Sequence, residues 1–382
     1  MKLREILSYI PKEQLRMFAL EYQVDRQVKK LSGEVMFYLL LFSSLNVRHN
    51  SLRTLEQFYS SPTFTGLFDK PIKHAKYNSI SDRLRTINAD YFKAIFESVL
   101  SRYSDSYLKP KDNIIAFDST IVTLSSKLLK TGMKVGSYQG VNGIKFSVAF
   151  SSVPVKSKLF TQRVYSSEDV ALKELIVECP LSRDNILLFD MGIQSRNTFD
   201  EFTDKHFTFV TRIREIARYR VMSENPVEIR ETASMVIQSD YNVKLFNKEN
   251  KETRHIFRLI IARLKEKNEE IYFLTNHADY SATEIAELCK RRWEIEVFFK
   301  FIKQHLDFSH LLSRNENGMK VEMYMTLITA ILLIVYKKEN GLSGYKMAKL
   351  KLAIEIESLL IKEIVLICGG DPSGVDRFWV PS

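Results

Sequence analysis

Short apolar runs and helical periodicity alternate through the middle of the chain. Two runs, Ile-Ile-Ala-Phe at 114–117 and Ile-Leu-Leu-Phe at 186–189, are each followed directly by an aspartate, Asp118 and Asp190. Residues 144–153, 158–164 and 207–213 also have strand patterns, with helical patterns at 169–177 and 195–202. Runs without polar alternation are typical of strands buried on both faces. The pattern predicts an α/β domain over about residues 109–310.

The first hundred residues have a different pattern. Apolar residues recur at three- and four-residue spacing over 3–22, 33–45, 51–59, 80–87 and 91–103, which predicts helices. Lys and Arg lie between these segments, as they do in helical DNA-binding heads. An ordinary helical bundle with a solvated basic face explains the same pattern, so both interpretations stay open. We expect a helical DNA-binding domain over 1–108.

The remaining segments differ again in composition and in the pattern of apolar residues. A charge-rich stretch at about 214–270, with strand-like pieces at 241–246 and 257–264, predicts a β-rich insertion. The core pattern resumes at 271–274 and leads into one long helix predicted over 281–306. A capping box formed by Ser281 and Glu284 marks the start of that helix. A helical C-terminal region is expected over 311–382.

Composition and charge limit the classes of protein to which this chain can belong. It has 382 residues, of which 45% are hydrophobic and 27% charged, a globular composition that excludes wholesale disorder. Its 56 basic and 46 acidic residues give a formal net charge of +10. This charge modestly favours binding to a polyanionic partner.

The cysteines and the apolar runs indicate the cellular compartment in which the protein is expected. Cys179, Cys289 and Cys368 are far apart, so neither a disulfide framework nor a zinc site is expected. The start of the sequence does not continue into the apolar core of a signal peptide. The apolar run at 323–336 is shorter than the roughly 18 residues of a membrane span. We expect a cytoplasmic protein without membrane contact.

The first candidate site residues are the two aspartates that follow apolar strands. In open α/β sheets, ligands are bound at the carboxyl ends of the strands. Carboxylates suit hard cations such as Mg²⁺, which prefers oxygen ligands. A lone aspartate after a strand is commonly a turn former or a helix cap, and this alternative stays open for Asp118 and Asp190.

The predicted helix over 281–306 adds a third acid. At about 100° per residue, Arg292, Glu296 and Lys303 lie within about 40° of one another. They border an apolar stripe made by Ile285, Leu288, Ile295, Phe299, Ile302 and Leu306. Such ladders are usually solvated ion pairs, whereas a carboxylate facing a crevice would complete a metal site with the two aspartates. Glu294, about 160° from Glu296 around the helix, is the rival for the third acid.

The run Cys-Lys-Arg-Arg-Trp-Glu-Ile-Glu-Val-Phe-Phe-Lys-Phe-Ile-Lys at 289–303 resembles the signature of DDE-type insertion-sequence transposases. That signature is Tyr, two residues, Arg, three residues, Glu, six residues and Lys. Arg292, Glu296 and Lys303 match its spacing, but Cys289 stands at the tyrosine position. The resemblance covers about residues 110–310, through Phe-Asp-Ser-Thr at 117–120 and Phe-Asp-Met-Gly at 189–192.

The resemblance implies a fold and a metal site. The fold would be ribonuclease H-like, a mixed five-stranded sheet with helices on its faces and a β-rich insertion between the second and third acids. Asp118, Asp190 and Glu296 would hold two Mg²⁺ ions, with Mn²⁺ as a substitute. One ion would activate water for attack on a phosphodiester, and the other would stabilise the leaving 3′ oxygen.

The resemblance also implies a bacterial cut-and-paste transposase. It would bind the terminal inverted repeats of its element, cleave the DNA and transfer the freed strand to target DNA, as a homodimer on DNA in the nucleoid. Arg292 and Lys303 would contact phosphates, and Lys290, Arg291 and Lys300 are further candidates. From the residue itself, Trp293 is expected to pack in the protein, with a platform for base stacking as the alternative.

Three points stay open from the sequence. The residue at 289 leaves a hairpin intermediate undecided. A metal-dependent nuclease that cuts without joining is a second interpretation. A domesticated, non-catalytic DNA-binding protein is a third, although intact acids argue against it.

Overall fold

A computed structural model describes residues 10–46, 51–68, 72–107, 113–123, 133–135, 141–228 and 231–376. The chain divides into two compact units, one formed by Met1–Leu108 with Lys300–Ser382 and the other by Lys109–Phe299. The division into 1–108, 109–310 and 311–382 stays a prediction.

The regular secondary structure described before the sheet is helical. Its helices are α1 (Lys12–Glu21), α2 (Gly33–Asn46), α3 (Leu52–Tyr59), α4 (Pro62–Thr65), α5 (Tyr77–Thr86) and α6 (Ala89–Tyr107). The helices expected at 33–45, 51–59, 80–87 and 91–103 are confirmed. Residues 3–9 of the segment expected at 3–22 lie outside the described residues.

The second unit is built on one large sheet. Its strands are β1 (Ile114–Thr123), β2 (Met133–Val135), β3 (Val141–Ser151), β4 (Val153–Phe160), β5 (Ile186–Phe189), β6 (Thr208–Ile213), β7 (Tyr219–Glu224), β8 (Met235–Leu245), β9 (Phe257–Leu264) and β10 (Glu270–Thr275). Two helices lie between strands of this unit, α7 (Glu168–Glu178) and α8 (Arg196–Asp204). The mixed α/β class is confirmed, and the sheet has more strands than the expected five.

Strand directions in the sheet are mixed. The order is β2-β3-β1-β5-β6-β10-β9-β8-β7, and β4 also pairs with β3. β1 is parallel to β5, and β5 is parallel to β6, whereas the other pairs are antiparallel. The sheet core is aromatic, with Phe117, Phe189, Phe199, Phe202 and Phe209 all buried in one cluster. Burial on both faces explains why the central strands lack polar alternation.

Strand boundaries near the first aspartate differ from the expectation. β1 does not end at Asp118 but continues to Thr123, because residues 116–123 pair with residues 143–150 of β3. The strands expected at 144–153 and 158–164 are β3 and β4, which meet at a turn where Ser152 has φ +60°. The later residues of the second segment form a 3-10 turn, Arg163–Ser166.

The strands expected at about 214–270 are present and extend the sheet beyond β10. β8 is longer than the piece expected at 241–246. β7 was not foreseen because most of its residues are exposed, which leaves no apolar alternation to detect. A buried ion pair joins β8 to β9. Arg258 Nη2 lies 2.5 Å from Asp240 Oδ2, and the Asp240 side chain is 1% exposed.

The helix expected over 281–306 is interrupted. It consists of α9 (Ala282–Arg291) and α10 (Trp293–His305). The capping box is confirmed, with Ser281 N donating to Glu284 Oε2 and Glu284 N donating to Ser281 Oγ. At the interruption, Ile295 N donates to Arg292 O three residues back, as in a 3-10 turn. No Gly or Pro marks this position, so the apolar pattern runs through it unchanged.

The C-terminal helices are α11 (Glu316–Glu339), α12 (Tyr345–Ile367) and α13 (Ser373–Asp376). α11 packs against α2, α5, α6 and α12. It is long and apolar enough to cross a membrane, but 72% of its most apolar window is buried inside the protein. This burial confirms the expectation that residues 323–336 belong to a core helix.

A carboxyl group is held among the helices of the first unit. Glu322 on α11 accepts hydrogen bonds from Leu312 N at 2.8 Å and Ser313 N at 2.7 Å. Burial raises the pKa of Glu322 to about 7, although the two N–H donors act to lower it and Asp307 raises it further. At neutral pH the protonated and ionised forms of this carboxyl are therefore present in comparable amounts.

Replacing Glu322 with Gln is expected to flatten the pH dependence of stability. The folded pKa of about 7 lies above the ordinary 4.5, so the stabilisation from this group is complete below about pH 4.5 and is lost as pH rises through about 7. Thermal unfolding between about pH 5 and 8 should show a steeper decline for the wild type than for Glu322→Gln. Glu316→Gln, a more exposed position on the same helix, should keep the wild-type slope. A wild-type slope in Glu322→Gln would contradict this assignment.

Candidate active site

The two aspartates lie on neighbouring strands. β1 and β5 run parallel, and their last paired residues are Phe117 and Phe189. Asp118 and Asp190 are the next residue of each strand, so the same edge of the sheet carries both. Asp118 stays within β1, opposite Val148 of β3, whereas Asp190 begins the turn after β5.

Glu296 and Arg292 complete the group from the helical side. Arg292 Nη2 lies 2.5 Å from Glu296 Oε1 and 3.7 Å from Asp190 Oδ2, and Arg292 Nη1 lies 3.9 Å from Asp118 Oδ2. The structure therefore brings together the three predicted acids, with one guanidinium within ion-pair distance of each.

The group is only partly accessible to solvent. The Arg292 side chain is 11% exposed, Asp118 is 21% exposed, and the other two carboxylates are about one-third exposed. Asp190 Oδ1 is buried and has no hydrogen-bond partner among the described residues, although such atoms usually find one. That oxygen is free to bind a ligand.

Burial changes the acid–base properties of this group. Desolvation raises the pKa of Asp118 to about 6, against the lowering effects of the Ser119 N–H and the Arg292 guanidinium. Burial by itself lowers the pKa of Arg292, but Asp190, Glu296 and Asp118 outweigh it and raise that pKa. The guanidinium is thus charged, and it is held by the acids around it.

The three carboxylates offer the kind of oxygen ligand that a divalent cation prefers. Their present arrangement does not form a metal site. Carboxylate oxygens are the ligands that hard cations prefer, and Asp190 Oδ1 has no other partner. Yet in the described part of the chain no three His, Cys, Asp or Glu side chains are arranged to hold a metal ion. The Arg292 guanidinium lies among the three acids instead. The donor atoms therefore have the chemistry that a divalent cation prefers, while the position between them is taken by a guanidinium.

Comparison with known protein families matches the unit that contains the sheet and continues beyond it. Residues 109–332 match the family model described as the transposase DDE domain, which is more than half of the chain. The chain belongs to the DDE transposase family.

Curated relatives agree with this membership. The chain is 25% identical over 265 residues to a probable transposase for insertion sequence element IS5377 of Geobacillus stearothermophilus, covering 67% of this chain and 66% of the relative. It is 26% identical over 235 residues to a putative insertion-sequence transposase of Synechocystis sp., covering 60% and 62%. A putative transposase of Sinorhizobium fredii is 27% identical over 157 residues, covering 41% and 44%. The matches thus span less than two thirds of each relative's length.

A fourth carboxylate beside the three predicted acids was missed from sequence. Burial raises the pKa of Glu168, at the start of α7; Lys145 acts to lower it and Asp190 raises it further. Glu168 in turn raises the pKa of Asp118. Its carboxylate lies against Gly192, where an added Cβ would be 1.9 Å from Glu168 Oε2. Only the fold brings these segments together, so sequence spacing gave no signal.

The next residue, Asp169, fastens the turn that follows Asp190. Its Oδ1 accepts hydrogen bonds from Gln194 N at 2.8 Å and Ser195 N at 2.9 Å. Lys145, only 2% exposed, donates to Ser166 O at 2.8 Å just before α7. The start of α7 is therefore fixed to both β3 and the loop that follows Asp190.

Cys289, at the position of the family tyrosine, is close to the site. Burial raises the pKa of its thiol to about 12; Arg212 and Arg292 act to lower it and Asp190 raises it further. A thiol with this pKa is protonated at neutral pH, so it is a poor nucleophile and a poor metal ligand.

The other basic residues of the DDE signature region are on the surface or in the first unit. Lys290 pairs with Glu287 at 2.6 Å, and Arg291 Nε lies 3.6 Å from Glu294. Lys300 is exposed and Lys303 is half-buried, and both belong to the first unit.

Trp293 does not pack in the protein, contrary to expectation. Its side chain is 62% exposed, and Val297, one turn later, is 44% exposed. The buried stripe of α10 is made by Ile295, Phe298 and Ile302. At about 100° per residue this stripe is centred roughly opposite Trp293, which explains its exposure.

Replacing Gly192 with Ala is expected to lower the pKa of Asp118 from about 6. The new methyl group would displace the Glu168 carboxylate, which raises that pKa. Glu168→Gln should produce a shift of the same sign, because it removes the same negative charge. Carbon-13 carboxyl NMR titration would measure the pKa, with the signal assigned by its loss in Asp118→Asn.

The matched control for this titration is Gly344→Ala, where an added Cβ meets nothing within 4 Å. It should leave the Asp118 pKa unchanged. A pKa that stays at the wild-type value in both Gly192→Ala and Glu168→Gln would show that Glu168 does not influence the site.

Proposed function

We propose that this chain is an insertion-sequence transposase that binds the terminal inverted repeats of its element, cleaves the DNA and joins the freed end to target DNA. One observation carries the proposal. Asp118, Asp190 and Glu296, which are far apart in sequence, surround a common position in a member of the DDE transposase family.

Asp118, Asp190 and Glu296 are the residues proposed to hold divalent cations, with Mg²⁺ as the expected ion and Mn²⁺ as a substitute. Such ions, when bound, activate water and stabilise a leaving oxygen in phosphodiester hydrolysis. The chain's own contribution is to fix the carboxylates, because the β1–β5 pairing holds the two aspartates and α10 holds the glutamate.

The proposed reaction has two steps that use the same site. In cleavage, the oxygen of water bonds to phosphorus and the 3′ oxygen leaves. In strand transfer, the freed 3′ hydroxyl attacks a target phosphodiester, forming a new P–O bond as the target's own P–O3′ bond breaks. Partial burial of the carboxylates excludes bulk water and strengthens their electrostatic effect.

Basic residues of the signature region are proposed to position the DNA. Arg292 and Lys303 would contact phosphates, and Lys290, Arg291 and Lys300 would add further contacts. Phosphate contacts set the register of DNA without reading its sequence. Recognition of the repeats is proposed for the N-terminal helices, in a homodimer that brings two DNA ends together in the nucleoid.

We further propose that β4, β3, β1, β5 and β6 are a ribonuclease H-like core. These strands are neighbours in the sheet and have mixed directions. α7 packs on β1, β3 and β4, as expected for helices that cover a sheet face. β7, β8 and β9 would then be the insertion between the second and third acids.

Glu296→Gln is expected to abolish metal-dependent cleavage without preventing DNA binding. The change removes one charge and one ligand oxygen, and should reduce cleavage by at least about 100-fold. The assay is Mg²⁺-dependent cleavage of a labelled duplex carrying the terminal repeat, with binding followed by gel shift. Glu294→Gln is the matched control, since Glu294 pairs with Arg291 and is 49% exposed. Equal cleavage by Glu296→Gln and the wild type would contradict the three-acid assignment.

A strand-transfer assay separates the three candidate functions. Pre-cleaved repeat ends incubated with a plasmid should yield joined products with the wild type, and Asp190→Asn should yield none. A nuclease would cut repeat DNA without joining it. A domesticated binding protein would do neither while still binding the repeats.

A further inference from the structure

Arg292 lies where a metal ion would have to bind. Its guanidinium is 2.5 Å from the nearest Glu296 oxygen, 3.7 Å from that of Asp190 and 3.9 Å from that of Asp118. The residue is 9% exposed. The protein therefore carries its own positive charge at the proposed metal site.

This charge cannot be removed by losing a proton. An arginine guanidinium remains protonated throughout the pH range in which proteins fold, and the three acids around Arg292 favour its charged form. A divalent cation would need the same oxygen atoms and would repel the guanidinium at short distance. Metal binding therefore requires the Arg292 side chain to move away from the carboxylates.

A displaced guanidinium needs another anion. A charge that leaves its partners but stays in a partly buried position is costly. The substrate supplies the replacement, since each DNA phosphate offers oxygen atoms that match the planar donors of arginine. Arg292 is also the residue between α9 and α10, so its side chain starts at a junction and not inside a helix.

We propose that Arg292 is an exchangeable counter-ion that couples metal binding to DNA binding. In the free protein it pairs with Asp118, Asp190 and Glu296. When divalent cations bind, it releases the carboxylates and pairs with a DNA phosphate. This inference rests on the proposed function, because it takes the three acids as the metal site.

The exchange has a reciprocal consequence. If DNA removes Arg292 from the carboxylates, DNA raises the affinity for the metal, and by linkage the metal raises the affinity for DNA by the same factor. The free protein is then kept from holding catalytic metal until substrate arrives. Couplings of this kind are typically about 5- to 150-fold.

The test is calcium binding, measured by isothermal titration calorimetry on the full chain without DNA. Ca²⁺ is used because the readout is then binding and not activity. Arg292→Gln should bind Ca²⁺ at least about fivefold more tightly than the wild type, because the competing cation is gone. Arg220→Gln, which loses a charge from an exposed pair with Glu252, is the matched control and should bind as the wild type does. Equal or weaker binding by Arg292→Gln would overturn the proposal.

The same titration with a repeat-carrying duplex tests the coupling. The duplex should raise the Ca²⁺ affinity of the wild type by a larger factor than that of Arg292→Gln. An equal factor in both proteins would overturn the coupling.

Glu296→Gln separates failure of this inference from failure of the proposed function. If Glu296→Gln leaves Ca²⁺ binding unchanged, the carboxylates are not the metal site and the proposed function fails. If Glu296→Gln weakens binding but Arg292→Gln does not strengthen it, only the exchange fails.

A measurement on the wild type covers the case in which Arg292→Gln does not fold. Phenylglyoxal modifies accessible guanidinium groups, and peptide mass spectrometry reports each site. Arg292 should be protected in the free protein and become reactive when Ca²⁺ is added without DNA. Arg220 should react equally under both conditions. Unchanged protection of Arg292 at saturating Ca²⁺ would overturn the exchange.

Discussion

Carboxylates within a few ångströms of one another repel, so a fold that gathers several of them needs a positive charge in the same place. Arg292 supplies that charge to Asp118, Asp190 and Glu296. Its own burial would be unfavourable without the acids, and theirs would be less favourable without it. The arrangement is a mutual neutralisation, and it accounts for how three carboxylates can lie close together without a bound cation.

The backbone determines how closely the acids meet. Parallel pairing of β1 with β5 stops at Phe117 and Phe189, which leaves an aspartate at the next position of each strand. The interruption between α9 and α10 then places Arg292 at a junction, one turn before Glu296. Behind these residues, aromatic side chains pack in one buried cluster against the sheet, which restrains the strand ends.

Much of this architecture was predictable because it depends on local pattern. Asp190 follows a four-residue apolar strand, and the Arg292–Glu296 spacing is read directly from the chain. The end of β1 was not predictable, because its extension depends on the length of β3, a partner distant in sequence. Glu168 was missed for a similar reason, since its neighbour Gly192 lies across the fold. Trp293 was expected to pack in the protein, but helical geometry places it opposite the buried stripe.

Because β1 extends past Asp118, the backbone of Asp118 is more restrained than the backbone of Asp190. Asp118 is held in a continuous ladder with β3 on one side, so its backbone cannot shift without breaking sheet hydrogen bonds. Asp190 begins a short turn whose far end is anchored by Asp169. The backbone of Asp118 is therefore held by the sheet, whereas the backbone at Asp190 belongs to a short turn that has fewer restraints. A backbone movement that changes the spacing of these two carboxylates is therefore expected in the turn at 190–193 and not in β1.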